Sequence, residues 1–241
     1  MRIKRSSLCI SLVLMLLLLI GTVKAGALNT GLSTEELSQE KIDTFLSNTS
    51  IKLLTSEPEK RDFLYFDVNE QGLIAICQDA SSSSISDKVC IYNTAGEFVY
   101  GYAFQYTGSF RVEWDNENIN ILFIRSSVVL SLDSGGNVLD IKGVQDIVDN
   151  SRYINYKLES SRKVVGDKTY TIRNDMWILN WVALSYSQVV VVDIDGTESI
   201  IYDVNTEQLI RTIVILCFVI AFISIVVVVL VRQIIKLNRE D

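Results

Sequence analysis

The stretch YNTAGEFVYGY, Tyr92–Tyr102, reads as strand, tight turn, strand, with Gly96 placed to supply the positive φ that a hairpin turn needs. Related runs follow as SLDSGGNVLDI (Ser131–Ile141) and VVDIDGTESIIYD (Val191–Asp203). Gly96, Gly136 and Gly196 hold the same place in the three runs, at spacings of 40 and 60.

Around these turns the hydrophobic period is two. Strands are expected at 62–68, 73–79, 88–93, 98–105, 109–114, 118–125, 127–132 and 137–142, and again at 169–174, 178–186, 188–193 and 198–203. Trp177 and Trp181 stand at i and i+4, however, and MWILNWVALSY also fits a short helix. The polar stretch 145–168 loses the alternation, reads as a surface excursion with room for a little strand, and accounts for the extra 20 residues in the second spacing. A period near 40 with four strands per unit is the pattern of a β-propeller blade, with the Gly96-type turn joining the last two strands. An antiparallel β-sandwich with recurrent turns is the other reading. Three units fall short of the four or more blades of a typical closed propeller. That leaves three choices: an early strand around Ile51–Leu54 helps to close the sheet, the sheet stays open, or a partner completes the exposed edge.

The runs FDVNEQGLIAI, VCIYNTAGEFVYGYAF, SFRVEWDNENINILFIR and SLDSGGNVLDI resemble propeller-blade sequences. With YDVN (Tyr202–Asn205) and a basic-tailed C-terminal helix, residues 61–241 also resemble uncharacterised, membrane-anchored, single-domain proteins of Gram-positive bacteria. The resemblance implies a fold and brings no activity or site residues.

The ends of the chain explain a mean hydropathy of +0.28 and an apolar content of 49%. Residues 1–27 carry basic Arg2, Lys4 and Arg5, then an apolar run Leu12–Ile20, then small-residue sites at Ala25-Gly26-Ala27 and Val23-Lys24-Ala25. This is the layout of a secretory signal, with an uncleaved anchor as the alternative. Thr212–Val231 is a twenty-residue stretch without a charge, long enough at ~1.5 Å per residue to cross the ~30 Å hydrocarbon core of a membrane. Arg232, Lys236 and Arg239 follow it and only Arg211 directly precedes it, which places the tail 232–241 in the cytoplasm. One span is expected if the signal is cleaved, two if it is retained. Either way the bulk of the chain lies outside: a short helix near 34–47 within the segment 28–60, capped by Ser33 and Glu36, and then a β-rich domain over 61–205.

Residues 26–210 hold 27 acidic and 14 basic side chains. That balance excludes nucleic acid as a partner. The chain contains no histidine, which removes Ser-His-Asp and Cys-His catalysis and His-ligated metals. No residue set implies a cofactor. Of four cysteines, Cys9 lies in the signal and Cys217 in the apolar helix. A hairpin centred between Ser83 and Ser84 puts Cys77 opposite Cys90, as a disulfide worth about 3 kcal/mol or as two buried thiols. Glu113 with Asp115, and Asp193 with Asp195, are carboxylate pairs on alternate positions, suited to acid–base work or simply solvated at strand ends. Phe98, Tyr100, Tyr102, Phe104 and Tyr106 fall on one strand face, as core or as a platform for sugar or peptide.

Negative chemistry and topology together give the expectation of a non-enzymatic binding, sensing or scaffold module at the outer face of a membrane. Its partner is a membrane protein, or a second copy meeting it along a sheet edge. The alternative is a cell-envelope hydrolase using paired carboxylates.

Overall fold

The computed structural model describes residues 28–78 and 86–240, with backbone alone beyond Arg232. The signal-like segment 1–27 and the serine tip Ser81–Ser84 lie outside them. The protein is mainly β, with three antiparallel sheets and one long C-terminal helix. In chain order, β1 (Thr34–Glu35), α1 (Gln39–Thr49) and β2 (Lys52–Leu54) precede three four-stranded meanders. The first is β3 (Tyr65–Val68), β4 (Ile74–Gln78), β5 (Asp87–Tyr92) and β6 (Phe98–Phe104). The second is β7 (Phe110–Asp115), β8 (Asn118–Phe123), β9 (Val128–Leu132) and β10 (Val138–Val144). After α2 (Val148–Tyr153) and a π-helical turn (Ile154–Leu158), the third is β11 (Arg162–Val165), β12 (Lys168–Arg173), β13 (Gln188–Val192) and β14 (Glu198–Asp203). Helix α3 (Asn205–Glu240) ends the described chain. β2 adds a fifth strand beside β6 and β1 a fifth beside β10, while β14 remains the edge of its sheet.

The three glycine turns share one geometry. Each joins the third and fourth strands of a meander, with φ of 78° at Gly96, 81° at Gly136 and 82° at Gly196. In each, the glycine N–H donates to the carbonyl three residues back, at 3.0, 3.0 and 2.9 Å. Asn93 Oδ1 and Asp133 Oδ1 also accept from the backbone two and four residues on, which holds their turns as Asx turns. Asn116, with φ 56°, does the same work in the turn that lacks a glycine.

The first sheet lies between the other two. Ala75, Cys77, Val89 and Ile91 pack toward the second sheet, against Phe110, Ile121 and Leu130. Ile74, Ile76, Cys90 and Tyr92 pack toward the third, against Tyr170, Val189 and Tyr202. A strand buried on both faces has no polar side, so LIAIC and VCIY read as continuous apolar runs. The outer face of the second sheet is covered by Leu28 and Leu32 from the N-terminal segment and by Tyr153, Ile154 and Leu158.

Several expectations are corrected. The segment 178–186 is not a strand: Trp177–Val182 is a 3-10 helix, in line with the short-helix reading of MWILNWVALSY, and its place in the third sheet is taken by β11, out of the polar stretch 145–168. Cys77 and Cys90 are not joined by a disulfide. The hairpin is one residue out of the expected register, pairing Ile76 with Cys90 and Cys77 with Val89, so the two thiols face different cores. Cys90 donates to Gln78 Oε1 at 3.8 Å, and burial pushes its thiol up to about 12. The aromatic row is core, and a bulge at Val99 turns Phe98 to the third sheet while Tyr100, Tyr102, Phe104 and Tyr106 face the second. Helix α1 begins at Gln39 with Ser38 as its cap, because Thr34 and Glu35 pair with Val144 and Gly143.

Candidate functional site

The first strands of the three meanders, β3, β7 and β11, converge, and charged groups hold them together. Asp67 of β3 forms an ion pair with Lys163 of β11 at 3.2 Å and accepts from the Trp114 N–H of β7 at 2.9 Å. One carboxylate therefore ties three sheets. Lys163 also donates to the carbonyl of Lys157 at 2.6 Å, which fixes the exit of the π-helical turn. Arg111 of β7 pairs with Glu159 and donates to its own neighbour's carbonyl, that of Phe110. Its guanidinium lies 3.5 Å over the ring of Tyr65 on β3. Burial without partners would be costly for each charge, and each has its partner.

Beside this junction opens a cleft of about 420 Å³, bordered by Asp67, Glu70, Glu113, Asp115 and Lys157. Glu113 and Asp115 do come together on β7, but both are engaged by the N-terminal segment. Thr30 Oγ1 donates to Glu113 at 2.6 Å, and Asn29 donates twice to Asp115 at 3.2 Å. The other oxygen of Glu113 accepts from the Tyr153 hydroxyl. Gly31 lies against the Tyr153 ring so closely that a Cβ there would overlap it. Burial raises the Glu113 carboxyl above its ordinary 4.5, while the bonds from Thr30 and Tyr153 oppose that shift.

A raised folded value makes the acid form the better buried one. The stability that Glu113 contributes is full below pH 4.5 and is lost as pH rises through the folded value. In melts from mildly acidic to neutral pH, the melting temperature of the wild type relative to Glu113→Gln is expected to fall as pH rises. A difference independent of pH would show an unperturbed carboxyl.

The other carboxylate pair is a turn. Asp193 forms a surface ion pair with Lys168 at 3.2 Å, and Asp195 accepts from the Thr197 N–H at 2.9 Å, which lowers its carboxyl. Among the described residues, no group of three or more Cys, Asp or Glu side chains is placed to hold a metal ion. Sequence reasoning passed over Asp67, Arg111, Tyr153 and Lys163. The available signal was a charge at an inward strand position, as in YFDVN and SRKVV.

A second polar cluster sits where α3 leaves the domain. Only Val204 separates β14 from the helix. Asn205 exchanges hydrogen bonds with Asp175, accepting at 3.0 Å and donating at 2.6 Å. The buried Gln208 donates to the Ser185 carbonyl at 2.9 Å. Asp62 accepts from the Ser185 hydroxyl at 2.5 Å and pairs with Arg211 at 2.7 Å. Asn205–Arg232 is long and apolar enough to cross a membrane, and none of its most apolar stretch is buried against the domain. Thr212 and Val231 both fall inside it. No protein-family model matches the chain, and no curated protein or solved structure matches it.

Proposed function

We propose that the chain is a membrane-anchored, non-catalytic binding or sensing module, its β-domain outside the cytoplasm and its C-terminus inside. The observation that carries this reading is the clamped base of α3. A helix tied through Asn205 and Gln208 to the two ends of the β12–β13 loop, and through Arg211 to Asp62 ahead of β3, has no hinge, so a displacement of the third sheet moves the helix with it. A flexible tether would hold the domain near the membrane and transmit nothing. Basic Arg232, Lys236 and Arg239 beyond the apolar stretch support the orientation.

In the same reading the three meanders are blades of an open propeller-like arrangement, supported by the convergence of β3, β7 and β11. The first two sheets each carry a fifth strand beside their fourth, and the third does not. β14 is thus an edge with Glu198, Ser199 and Ile200 exposed along it, where a strand of a membrane-protein partner would add. Hydrolysis by paired carboxylates is the second reading, favoured by the raised Glu113 beside Asp67 in a cleft. It ranks second because both oxygens of Glu113 already accept hydrogen bonds.

Native full-length protein, purified in mild detergent and weighed together with whatever accompanies it, tests the proposal. A stoichiometric membrane protein that is lost on Ile200→Pro is the expected result. A solitary protein that cleaves envelope glycans, and loses that activity in Glu113→Gln, would replace the first reading by the second.

A further inference from the structure

The segment between β12 and β13 is built inside out. Its polar side chains turn inward. Asn174 Nδ2 donates to the Ser185 carbonyl at 2.8 Å, and Asn174 Oδ1 accepts from the Ser187 N–H at 2.8 Å. Asn180 Oδ1 accepts from the Met176 N–H at 2.8 Å, which closes the 3-10 turn, and Met176 is buried. The apolar side chains turn outward. Trp177, Trp181 and Leu184 are 86%, 92% and 92% exposed, and Ile178 and Val182 are exposed beside them. No residue from Met176 to Val192 is charged. Trp177 also holds φ 52°, a conformation that a bulky side chain rarely adopts, and it does so with its ring in the open.

A water-facing loop has no reason for this arrangement, since exposed apolar clusters of this size mark an interaction surface. The position of the loop identifies what covers it. Both of its ends are tied to the base of α3: Asp175 to Asn205, and Ser185 to Gln208. Gln208 stands one helical turn, about 6 Å, before Thr212, where the uncharged stretch begins. The cluster therefore flanks the helix at the level where the hydrocarbon would start. Tryptophan concentrates at that depth, because its ring is apolar and its N–H remains wet.

We propose that the loop Met176–Leu184 is a second membrane contact, a foot that inserts Trp177, Ile178, Trp181 and Leu184 into the outer-leaflet interface beside α3. The proposal rests on the reading of α3 as a membrane span. With the helix as one contact and the foot as the other, the β-domain stands on the bilayer at a fixed tilt and cannot swivel about α3. The edge strand β14, which runs into α3, is then held at a set height and bearing for a partner in the same membrane.

Depth-dependent quenching tests this with full-length protein in vesicles of phosphatidylcholine and phosphatidylglycerol carrying brominated acyl chains. Two of the three tryptophans are in the foot, so bromine near the headgroups is expected to remove roughly half or more of the emission. The double variant Trp177→Ser/Trp181→Ser, which leaves only Trp114, is expected to lose that quenching. In the background of that variant, Phe222→Trp adds a reporter in the helix to Trp114, and the added emission is expected to be quenched by bromine deep in the chains. A quenched Phe222→Trp with no shallow quenching of the wild type overturns the foot and leaves the anchor standing. If neither is quenched, the span itself is refuted and the foot with it.

Discussion

Lys163→Ala is expected to cost about 3–5 kcal/mol of stability, the largest effect of any single truncation in the β-domain. Lys163 and Asp67 are only 6% and 12% exposed, and their ion pair is the point at which β3, β7 and β11 meet. Removing the ammonium leaves the largely buried Asp67 with one strong partner, the backbone N–H of Trp114. A buried carboxylate without its counter-charge is far more costly than the pair is stabilising. The neutral pair Asp67→Asn/Lys163→Met keeps an acceptor for Trp114 and removes both charges. Its cost is expected to fall short of the sum of the single variants by about 2 kcal/mol. Chemical denaturation in mild detergent, followed by tryptophan emission, measures Lys163→Ala, the singles Asp67→Asn and Lys163→Met, and the double variant. Small and additive costs would mean that water reaches the pair and that the three sheets are held by apolar packing alone.

The fold was legible in the sequence where turn chemistry was local. An Asn or Asp three residues before a Gly specifies its own hydrogen bonds, so the turns at Gly96, Gly136 and Gly196 could be aligned without knowing what they pack against. The apolar helix was legible for a similar reason, since length and absence of charge suffice to mark a stretch that can cross a membrane. Registers were not. Placing Cys77 opposite Cys90 assumed a symmetric serine tip, and a slip of one residue leaves the two thiols on opposite faces of the sheet. The third unit was misread because its first strand, Arg162–Val165, is short and begins among polar residues, while MWILNWVALSY has the apolar weight of a strand. Tertiary placement decided both. β11 forms because Lys163 reaches Asp67, and the tryptophan loop fails to form a strand because Asn174 and Asn180 bind its backbone instead. The junction itself was invisible for the same reason. Its charges come from positions 67, 111, 113, 159 and 163, which only the convergence of three strands brings together.

The three turns are alike in geometry and are expected to be unlike in what they tolerate. Alanine at Gly196 would meet nothing within 4 Å, so Gly196→Ala is charged only with the positive φ, about 1–2 kcal/mol. Alanine at Gly96 has the same φ cost, but its Cβ would stand 2.5 Å from the carbonyl oxygen of Ile201. That oxygen belongs to the backbone of β14 and cannot rotate away. Ile201 is also the bulged residue of that strand, passed over between the pairs Val189–Tyr202 and Val190–Ile200. Overpacking against fixed backbone adds a further 1–3 kcal/mol, for a total of about 2–5. Gly136→Ala falls between the two, since its nearest neighbour is the side chain of Leu53, at 3.3 Å. Melting temperatures should therefore fall in the order Gly196→Ala, Gly136→Ala, Gly96→Ala, with the last lowest by several degrees. Equal losses at Gly96 and Gly196 would mean that the first meander does not rest on β14. If it does rest there, the turn that begins the repeat is also a contact between the first sheet and the strand that leads into α3, so pressure on the β-domain has a path of packed backbone to the helix.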